Sequence, residues 1–275
     1  MKADQSFLSR AQGCLLGQLA GDALGGLVEF QTPSDIRKEY PDGVRKLADG
    51  GTWNTIAGQP TDDSEMALML ARMLVELGRY DPAEARKVYV FWLDSKPFDC
   101  GMTTSSGLRG QPNHDSQANG ALMRVSPLGI FGAHYELNQV AKWARQDAAL
   151  THPHPVCQQV NALFTMAIAH TILTECGPKK LYEEIKSWAE QMDVEKSLLD
   201  VETGTAVRGA NTERPVAEVP ESAPEALPMD IDHLRLTAQP YRRFATLVNY
   251  TTEPHLVPIP QLAYLVERIV EIEGP

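Results

Sequence analysis

The segment from Thr61 to Leu77 constrains the fold of this 275-residue chain more than any other feature. It begins with carboxylates and continues as MALMLARMLVEL, in which apolar residues recur at helical spacing. Acidic side chains are stabilised at the positive end of a helix dipole, so they favour a helix start at this point. The pattern therefore predicts a helix over residues 61–77.

Helical periodicity also marks five other segments, whereas strand signals are scarce. These segments are Phe7 to Val28, Pro82 to Asp94, Asn138 to Ala149, Val156 to Leu173 and Lys179 to Met192. Glycines at positions 13, 17 and 21 keep one flank of the first segment thin, and we expect that flank to pack closely against a neighbour. Between the helices, residues 41–60 and 99–116 predict long polar loops, which are common places for function.

Composition limits the classes of function. A chain with 43% hydrophobic and 22% charged residues can bury one sizeable core. Its net charge of -11 opposes non-specific binding to nucleic acid, because an acidic surface repels phosphates. Four widely spaced cysteines predict reduced thiols. We find no signal-like start and no apolar run of the roughly 18 residues that span a membrane, so we expect a cytoplasmic protein without membrane contact.

The chain divides into three parts by composition. Residues 1–200 carry the helical patterns and predict one helical domain. Residues 201–229 are rich in Pro and Glu with almost no aromatic residues, which predicts a linker or insertion that does not bury a core. Residues 230–275 form a divergent C-terminal segment with two short apolar stretches, of which 262–272 has helical spacing.

The sequence Thr61-Asp62-Asp63 lies where a loop enters the predicted helix. A hydroxyl and two carboxylates are oxygen ligands of the kind that Mg²⁺ or Mn²⁺ prefers. They can converge on one ion only where the backbone is outside regular helix, because consecutive helical residues point about 100° apart. The alternative is that Asp62 or Asp63 simply caps the helix.

Two other acidic positions are candidates. Asp22 and Glu29 lie seven residues apart, close to two helical turns, so both could face one cleft. Taken alone, Asp22 is better explained as a local hydrogen-bonding group near a helix end, and Glu29 as a solvated surface residue. Asp99 lies beside a glycine and two hydroxyl residues, where it could act as an acid or a ligand or belong to an ordinary turn.

A phosphate site is indicated by two further segments. Ser116 to Arg124 reads SQANGALMR, and small residues with free backbone N–H groups before a helix can hold a phosphate. His152, in THPHP, could donate to a phosphate oxygen, whereas the flanking prolines make a two-histidine metal site awkward. Each segment is also compatible with a plain helix start.

Five segments occur together and in order: GDALG, PTDDSEMAL, DCGMTT, SQANGALMR and THPHP. This series, between about Ala11 and Thr171, resembles the ADP-ribosylglycohydrolase family. The resemblance implies an all-α, compact multi-helix bundle with a two-metal site, and cleavage of the bond between ADP-ribose and its carrier. By motif match it implies metal ligands at Thr61, Asp62 and Asp63.

The resemblance also implies roles for the other candidates. Glu29 would gate or activate the metal site, Asp62 would act in catalysis, and Asp99 would lie near the reacting ribose. The residues that would hold ADP-ribose are Ser116, Asn119, Gly120 and His152. The expected ligands are therefore Mg²⁺ or Mn²⁺ and ADP-ribose or an ADP-ribosylated protein.

One departure from the family pattern affects the metal site. Family members complete it with a Gly-Gly-Asp-Thr-Asp-Thr-like segment near the C-terminus, and after Asp200 only Asp230-Ile231-Asp232 has an Asp-x-Asp spacing. A single bound ion is then possible, and so is a degenerate protein that binds ADP-ribose or a partner without efficient turnover. An altered C-terminal third would also expose apolar surface, which predicts homo-oligomers.

Overall fold

The structure is a computed structural model and describes residues 5–195, 198 and 266–272. Within these ranges the chain is helical, and the only β feature there is an isolated bridge between Gly50 and Thr55. The helices are α1 (Gln5–Gly25), α2 (Pro33–Glu39), α3 (Asp62–Leu77), α4 (Pro82–Asp94), α5 (Met102–Leu108), α6 (Ser126–Gly132), α7 (Leu137–Ala149), α8 (Pro155–Thr174) and α9 (Pro178–Gln191), with a 3-10 turn at Leu122–Arg124. The all-α prediction is confirmed.

Local signals account for several helix ends. The side chain of Asp81 accepts hydrogen bonds from the N–H groups of Ala83 and Glu84, so it caps α4, and Pro82 fits the first turn because it has no N–H to satisfy. Helix α3 ends at Gly78, whose φ of 64° lies in the left-handed region that glycine adopts without steric cost.

Helix α3 lies at the centre of the main core. Met66, Leu70 and Leu74 are fully buried, because the apolar residues of this helix cover most of its circumference. It packs against α1, α4, α6 and the 3-10 turn. Residues 266–271 are helical, and Val266 and Ile269 are buried in the same core, so this end of the chain packs with the N-terminal helices.

A smaller apolar cluster joins α7, α8 and α9 around Met166 and Trp188. Helix α8 is, among the described residues, the one helix long and apolar enough to cross a membrane by length and composition, which the sequence analysis did not anticipate. It packs against α1, α6, α7 and α9, and half of its most apolar window is buried within the protein. This packing is typical of a core helix.

Six helices were predicted to within three residues of their observed ends, and α4 was predicted with its observed bounds, whereas α2, α5 and α6 were missed. Each of the missed helices has seven residues, which is too short for a periodic pattern to stand out. The four cysteines are free, as expected. Among the described residues, a Cβ at Gly13, Gly17 or Gly21 would meet nothing within 4 Å, so the close packing expected on the glycine flank of α1 is not found there.

The predicted linker 201–229 and the Asp230-Ile231-Asp232 segment lie outside the described residues. The same is true of the apolar stretch 244–250 and of residues 262–265. The division into three parts therefore stays a prediction.

Candidate active site

Helix α1 supplies the group that organises the start of α3. The carboxylate of Asp22 accepts hydrogen bonds from the backbone N–H of Thr61 at 3.1 Å and of Ser64 at 3.1 Å. The Thr61 hydroxyl also donates to Asp22 Oδ1 at 2.7 Å. Thr61 makes no capping hydrogen bond itself, so a side chain from another helix satisfies the helix start.

The alternative that Asp62 or Asp63 caps α3 is therefore wrong. Both residues lie inside the first helical turn, where their side chains are free for other interactions. Asp62 is buried, and its Oδ2 accepts a hydrogen bond from the backbone N–H of Gly101 at 3.3 Å. The segment before α5 is thereby held against the start of α3, and it carries Asp99.

Six carboxylates interact electrostatically at this place, and Glu65 is one of them. We call the other five the acidic cluster: Asp22, Glu29, Asp62, Asp63 and Asp99. Burial, followed by repulsion from Asp22 and Asp62, raises the pKa of Asp63 to about 7. Burial and the neighbouring Asp62 likewise raise the pKa of Asp99 to about 7. Burial also raises the pKa of Asp62 itself.

Glu29 is held at the edge of the cluster by an aromatic residue. The indole N–H of Trp53 donates to Glu29 Oε2 at 2.6 Å. The Trp53 ring makes edge-to-face contacts with Phe30 and Phe98, at centroid distances of 6.0 and 5.8 Å. Phe98 directly precedes Asp99, so these contacts join the Glu29 loop to the segment that carries Asp99.

The donors fit a hard cation in their chemistry. None of the ion pairs in the described part of the chain involves the acidic cluster, so its carboxylates have no cationic side-chain partner there. Thr61 gives its proton to Asp22, which leaves oxygen lone pairs available to a cation. However, no three His, Cys, Asp or Glu side chains of the described ranges are grouped closely enough to hold a metal ion. A metal site built on these residues would need further ligands.

Helix α5 connects the acidic cluster to the predicted phosphate loop, Ser116 to Gly120. Thr103 Oγ1 and Ser116 Oγ are 2.9 Å apart and share a hydrogen bond. A Cβ on Gly120 would lie 2.5 Å from Thr104 Oγ1, so only glycine fits against this hydroxyl. Gly101, which directly precedes α5, donates its N–H to Asp62. Thr103 and Thr104, in the first turn of α5, contact the loop.

Backbone carbonyl groups of the phosphate loop accept hydrogen bonds from neighbouring parts of the protein. Cys157 Sγ donates weak hydrogen bonds to the carbonyls of Ser116 and Ala118 at 3.5 and 3.6 Å. Asn119 is exposed, and its carbonyl accepts from the N–H groups of Leu122 and Met123. Asn119 therefore lies at the start of the 3-10 turn, with its side chain at the surface.

His152 is fully buried beneath this loop. Its Nδ1 lies 2.7 Å from Thr151 Oγ1, and its Nε2 is buried without a hydrogen-bond partner among the described residues. A Cβ on Gly120 would lie 3.2 Å from Nε2, so the ring faces the loop backbone. Burial, with the positive charge of Arg124, lowers the pKa of His152 to about 4. The imidazole is therefore neutral at pH 7.

Sequence reasoning missed two parts of this arrangement. The contact of Asp22 with α3 joins residues 39 and 42 positions apart, which no local pattern reveals. Arg124 and Asp147 form a fully buried ion pair beneath the loop, with Nε and Oδ2 3.0 Å apart. In the sequence, Arg124 only ends the SQANGALMR motif, and Asp147 is an ordinary charged residue of a helix.

The fold and the site together define an all-α protein with a carboxylate cluster beside a glycine-containing loop. The family profile described as ADP-ribosylglycohydrolase matches residues 3–250. The chain belongs to the ADP-ribosylglycohydrolase family.

Curated relatives carry related names. The ADP-ribosyl-[dinitrogen reductase] glycohydrolase of Rhodospirillum rubrum is 34% identical, over 68% of this chain and 65% of that protein. The ADP-ribosylarginine hydrolase Tri1 of Pseudomonas putida is 32% identical, over 59% of this chain and 46% of that protein. The chain thus spans about half to two thirds of the length of these relatives. A solved structure titled ADP-ribosylglycohydrolase-related protein complex has a TM-score of 0.65 at 20% identity, covers 98% of this chain and 99% of its own, and supports the fold.

Proposed function

We propose that this protein is a hydrolase that uses Mg²⁺ or Mn²⁺ to cleave the glycosidic bond between ADP-ribose and a protein side chain or small molecule. The observation that carries the proposal is the position of the acidic cluster. Its carboxylates have no ion-pair partner among the described residues, and α5 joins the cluster to the phosphate loop through Gly101 and Thr103. Family membership and the names of the relatives support the same reaction class.

Each half of the site has a distinct part in this reaction. Thr61, Asp62 and Asp63 would hold the cation, which supplies Lewis acidity and polarises a water molecule. Asp99 lies beside Asp62, and its raised pKa of about 7 suits a group that exchanges a proton near neutral pH. Glu29 adds negative charge at the edge of the cluster, where positive charge develops on the ribose during cleavage. Ser116, Asn119, Gly120 and His152 would hold the ADP-ribose.

A second candidate is a family member that binds ADP-ribose without efficient turnover. It is favoured by one observation: among the described residues, the acidic side chains do not form a complete metal site. In the family pattern, further ligands come from a C-terminal segment, and Asp230 and Asp232 are poor substitutes. Such a protein would bind ADP-ribose with equal affinity in magnesium and in chelator.

Release of ADP-ribose from arginine- and serine-linked conjugates tests the proposal. We expect activity with Mg²⁺ or Mn²⁺, loss with chelator, and a decrease of at least about a hundredfold for Asp62→Asn, because a cation ligand is removed. Asp94→Asn is the matched control, because Asp94 is exposed at the end of α4, outside the cluster, and should keep full activity. Full activity in Asp62→Asn would exclude the metal role.

Calorimetry with ADP-ribose separates the two candidates. Metal-dependent binding together with product release supports the hydrolase. Binding that ignores the metal, with no product, supports the second candidate. Homo-oligomer formation and cytoplasmic location stay predictions, and light scattering that shows a monomer would contradict the first of these.

A further inference from the structure

Arg124 is the most completely buried cation in the described part of the chain. Its Nε donates to Asp147 Oδ2 at 3.0 Å, and its Nη2 donates to the carbonyl of Asp147 at 2.9 Å. Its guanidinium lies over the ring of Tyr89, 4.3 Å from the centroid, and Tyr89 Oη donates to Asp147 Oδ1 at 3.0 Å. These contacts fix the guanidinium plane and leave Nη1 for other partners.

The remaining nitrogen joins the two predicted substrate segments. Arg124 Nη1 donates to the carbonyl of Gly120 at 3.2 Å and to Thr151 Oγ1 at 3.0 Å. Gly120 ends the phosphate loop, and Thr151 directly precedes His152 and contacts its ring. One rigid group thus sets the position of the loop relative to the histidine.

Stability alone does not explain this ion pair. Moving two charges out of water costs several kcal/mol each, and apolar replacements of similar size are often neutral or stabilising. A planar fork of donors, in contrast, can hold several acceptors in a fixed geometry, which a lysine cannot do. The arrangement is therefore better explained by positioning than by a gain in folding free energy.

Thr151 passes this positioning on to the imidazole. Its oxygen accepts from Arg124, so its own proton is available to His152 Nδ1, 2.7 Å away. A neutral imidazole that accepts at Nδ1 carries its proton at Nε2. His152 is neutral at pH 7, and its buried Nε2 has no partner in the described ranges, although such a group normally has one.

We propose that Arg124 is a positioning residue for ligand binding: it holds the loop at Gly120 and, through Thr151, orients His152 so that Nε2–H donates to a phosphate oxygen of ADP-ribose. This inference rests on the proposed function, because that function supplies the diphosphate ligand. The contact requires a small displacement of the loop, because Nε2 is covered by Gly120 in the present arrangement.

Two substitutions at Thr151 test the proposal without disturbing the ion pair. Thr151→Val keeps the shape and removes the hydroxyl, and calorimetry should show an ADP-ribose affinity lower by about tenfold, the value of one hydrogen bond. Thr151→Ser keeps the hydroxyl and its ADP-ribose affinity should stay within about twofold of the wild type.

A substitution at Arg124 tests the positioning group itself. Arg124→Lys should weaken ADP-ribose binding by at least about tenfold, because the planar fork of donors is lost. Hydrolysis assays should show the loss in KM rather than in kcat.

A control separates positioning from loss of stability. Thr165→Val removes another buried hydroxyl, which donates to the carbonyl of Asn161 at 2.6 Å within α8. It should lower the melting temperature about as much as Thr151→Val while leaving ADP-ribose affinity within about twofold. If both Val variants weaken binding equally, the role of Thr151 is structural and the proposal is wrong.

The tautomer gives a readout that does not depend on turnover. Long-range ¹H–¹⁵N spectra, assigned with His152→Gln, should show the wild-type proton at Nε2 and a changed pattern in Thr151→Val. A proton at Nδ1 in the wild type would overturn the proposal. Equal ADP-ribose binding by wild type, Thr151→Val and Arg124→Lys would overturn it while leaving the proposed function intact, whereas a wild type that binds no ADP-ribose would overturn both.

Discussion

Two charged regions of the protein, the acidic cluster and the surroundings of Arg124, are built in opposite ways. The acidic cluster has five carboxylates and no ion-pair partner in the described part of the chain. Burial, followed by mutual repulsion, raises the pKa of Asp63 and of Asp99 to about 7. The second region is the Arg124 network, which consists of Arg124, Asp147, Tyr80, Tyr89, Thr151 and His152. Its fully buried ion pair, Arg124 with Asp147, brings one positive and one negative charge together.

The difference separates two kinds of preparation for a ligand. Unbalanced like charges cost folding free energy that a bound cation recovers, so the acidic cluster should become more stable on binding. A charge-balanced network, in which Arg124 and Asp147 are hydrogen-bonded and only His152 Nε2 lacks a partner among the described residues, sets geometry before any ligand arrives. Removing a charge should therefore have opposite effects on stability in the two regions.

The largest effect is expected from the buried ion pair. Arg124→Met leaves the carboxylate of Asp147 buried without its cation, which should lower the free energy of unfolding by about 3–5 kcal/mol in urea titrations. Arg79→Met is the control, because Arg79 and its partner Asp81 form an ion pair at the surface, where solvent screening leaves little contribution to stability. Equal losses in the two variants would mean that the buried pair has no special role.

A pH titration of stability compares the two regions directly. The pKa of His152 is about 4 in the folded protein and near 6.5 when unfolded, so the unfolded state binds more protons between these values. Stability is therefore lost as pH falls from 6.5 towards 4, by up to about 3 kcal/mol. The raised carboxyl pKa values act in the opposite direction, because there the folded state binds the extra protons.

The variant His152→Gln isolates the histidine contribution. Urea titrations in chelator at several pH values measure the free energy of unfolding of wild type and variant. The stability advantage of the wild type over His152→Gln should decrease by up to about 3 kcal/mol as pH falls from 6.5 towards 4. A difference that does not depend on pH would mean that His152 is already protonated or exposed.

Alanine substitutions at two separate glycines compare the tightness of packing beside His152 with that on the surface of α1. At Gly120 a Cβ would lie 2.9 Å from His152 Cε1, so Gly120→Ala should cost about 1–3 kcal/mol by overpacking. Gly13 lies inside α1, where a Cβ would meet none of the described residues, so Gly13→Ala should stabilise the protein by about 0.5–1 kcal/mol. Thermal unfolding of both variants measures the contrast, and a stable Gly120→Ala would mean that the loop is loosely held.

The sequence predicts the two regions to different extents. Asp62 and Asp63 lie in the contiguous motif TDD, and the phosphate loop is the contiguous motif SQANG, so the residue types in these short segments identify both. The partners that organise them are distant: Asp22 contacts Thr61 from α1, and Asp147 reaches Arg124 across 23 positions. The long helices follow from apolar periodicity, whereas α5 is seven residues of small and polar types, without a pattern that separates it from a loop. Distant contacts and short helices depend on tertiary packing.

The smallest effect has the most informative sign. Above pH 7, where Asp63 is largely ionised, Asp63→Asn removes one charge from the acidic cluster. In chelator it should raise the free energy of unfolding by about 1 kcal/mol, because a largely buried charge is removed and repulsion from Asp22 and Asp62 is relieved, while partial exposure of Asp63 to solvent screens the effect. The matched Asp94→Asn variant should leave stability unchanged, because Asp94 lies outside the cluster. In excess Mn²⁺ the order should reverse, since the wild type gains binding free energy that the variant loses. A variant that stays more stable than wild type at every Mn²⁺ concentration would show that the unbalanced charge of this cluster does not serve to hold a cation.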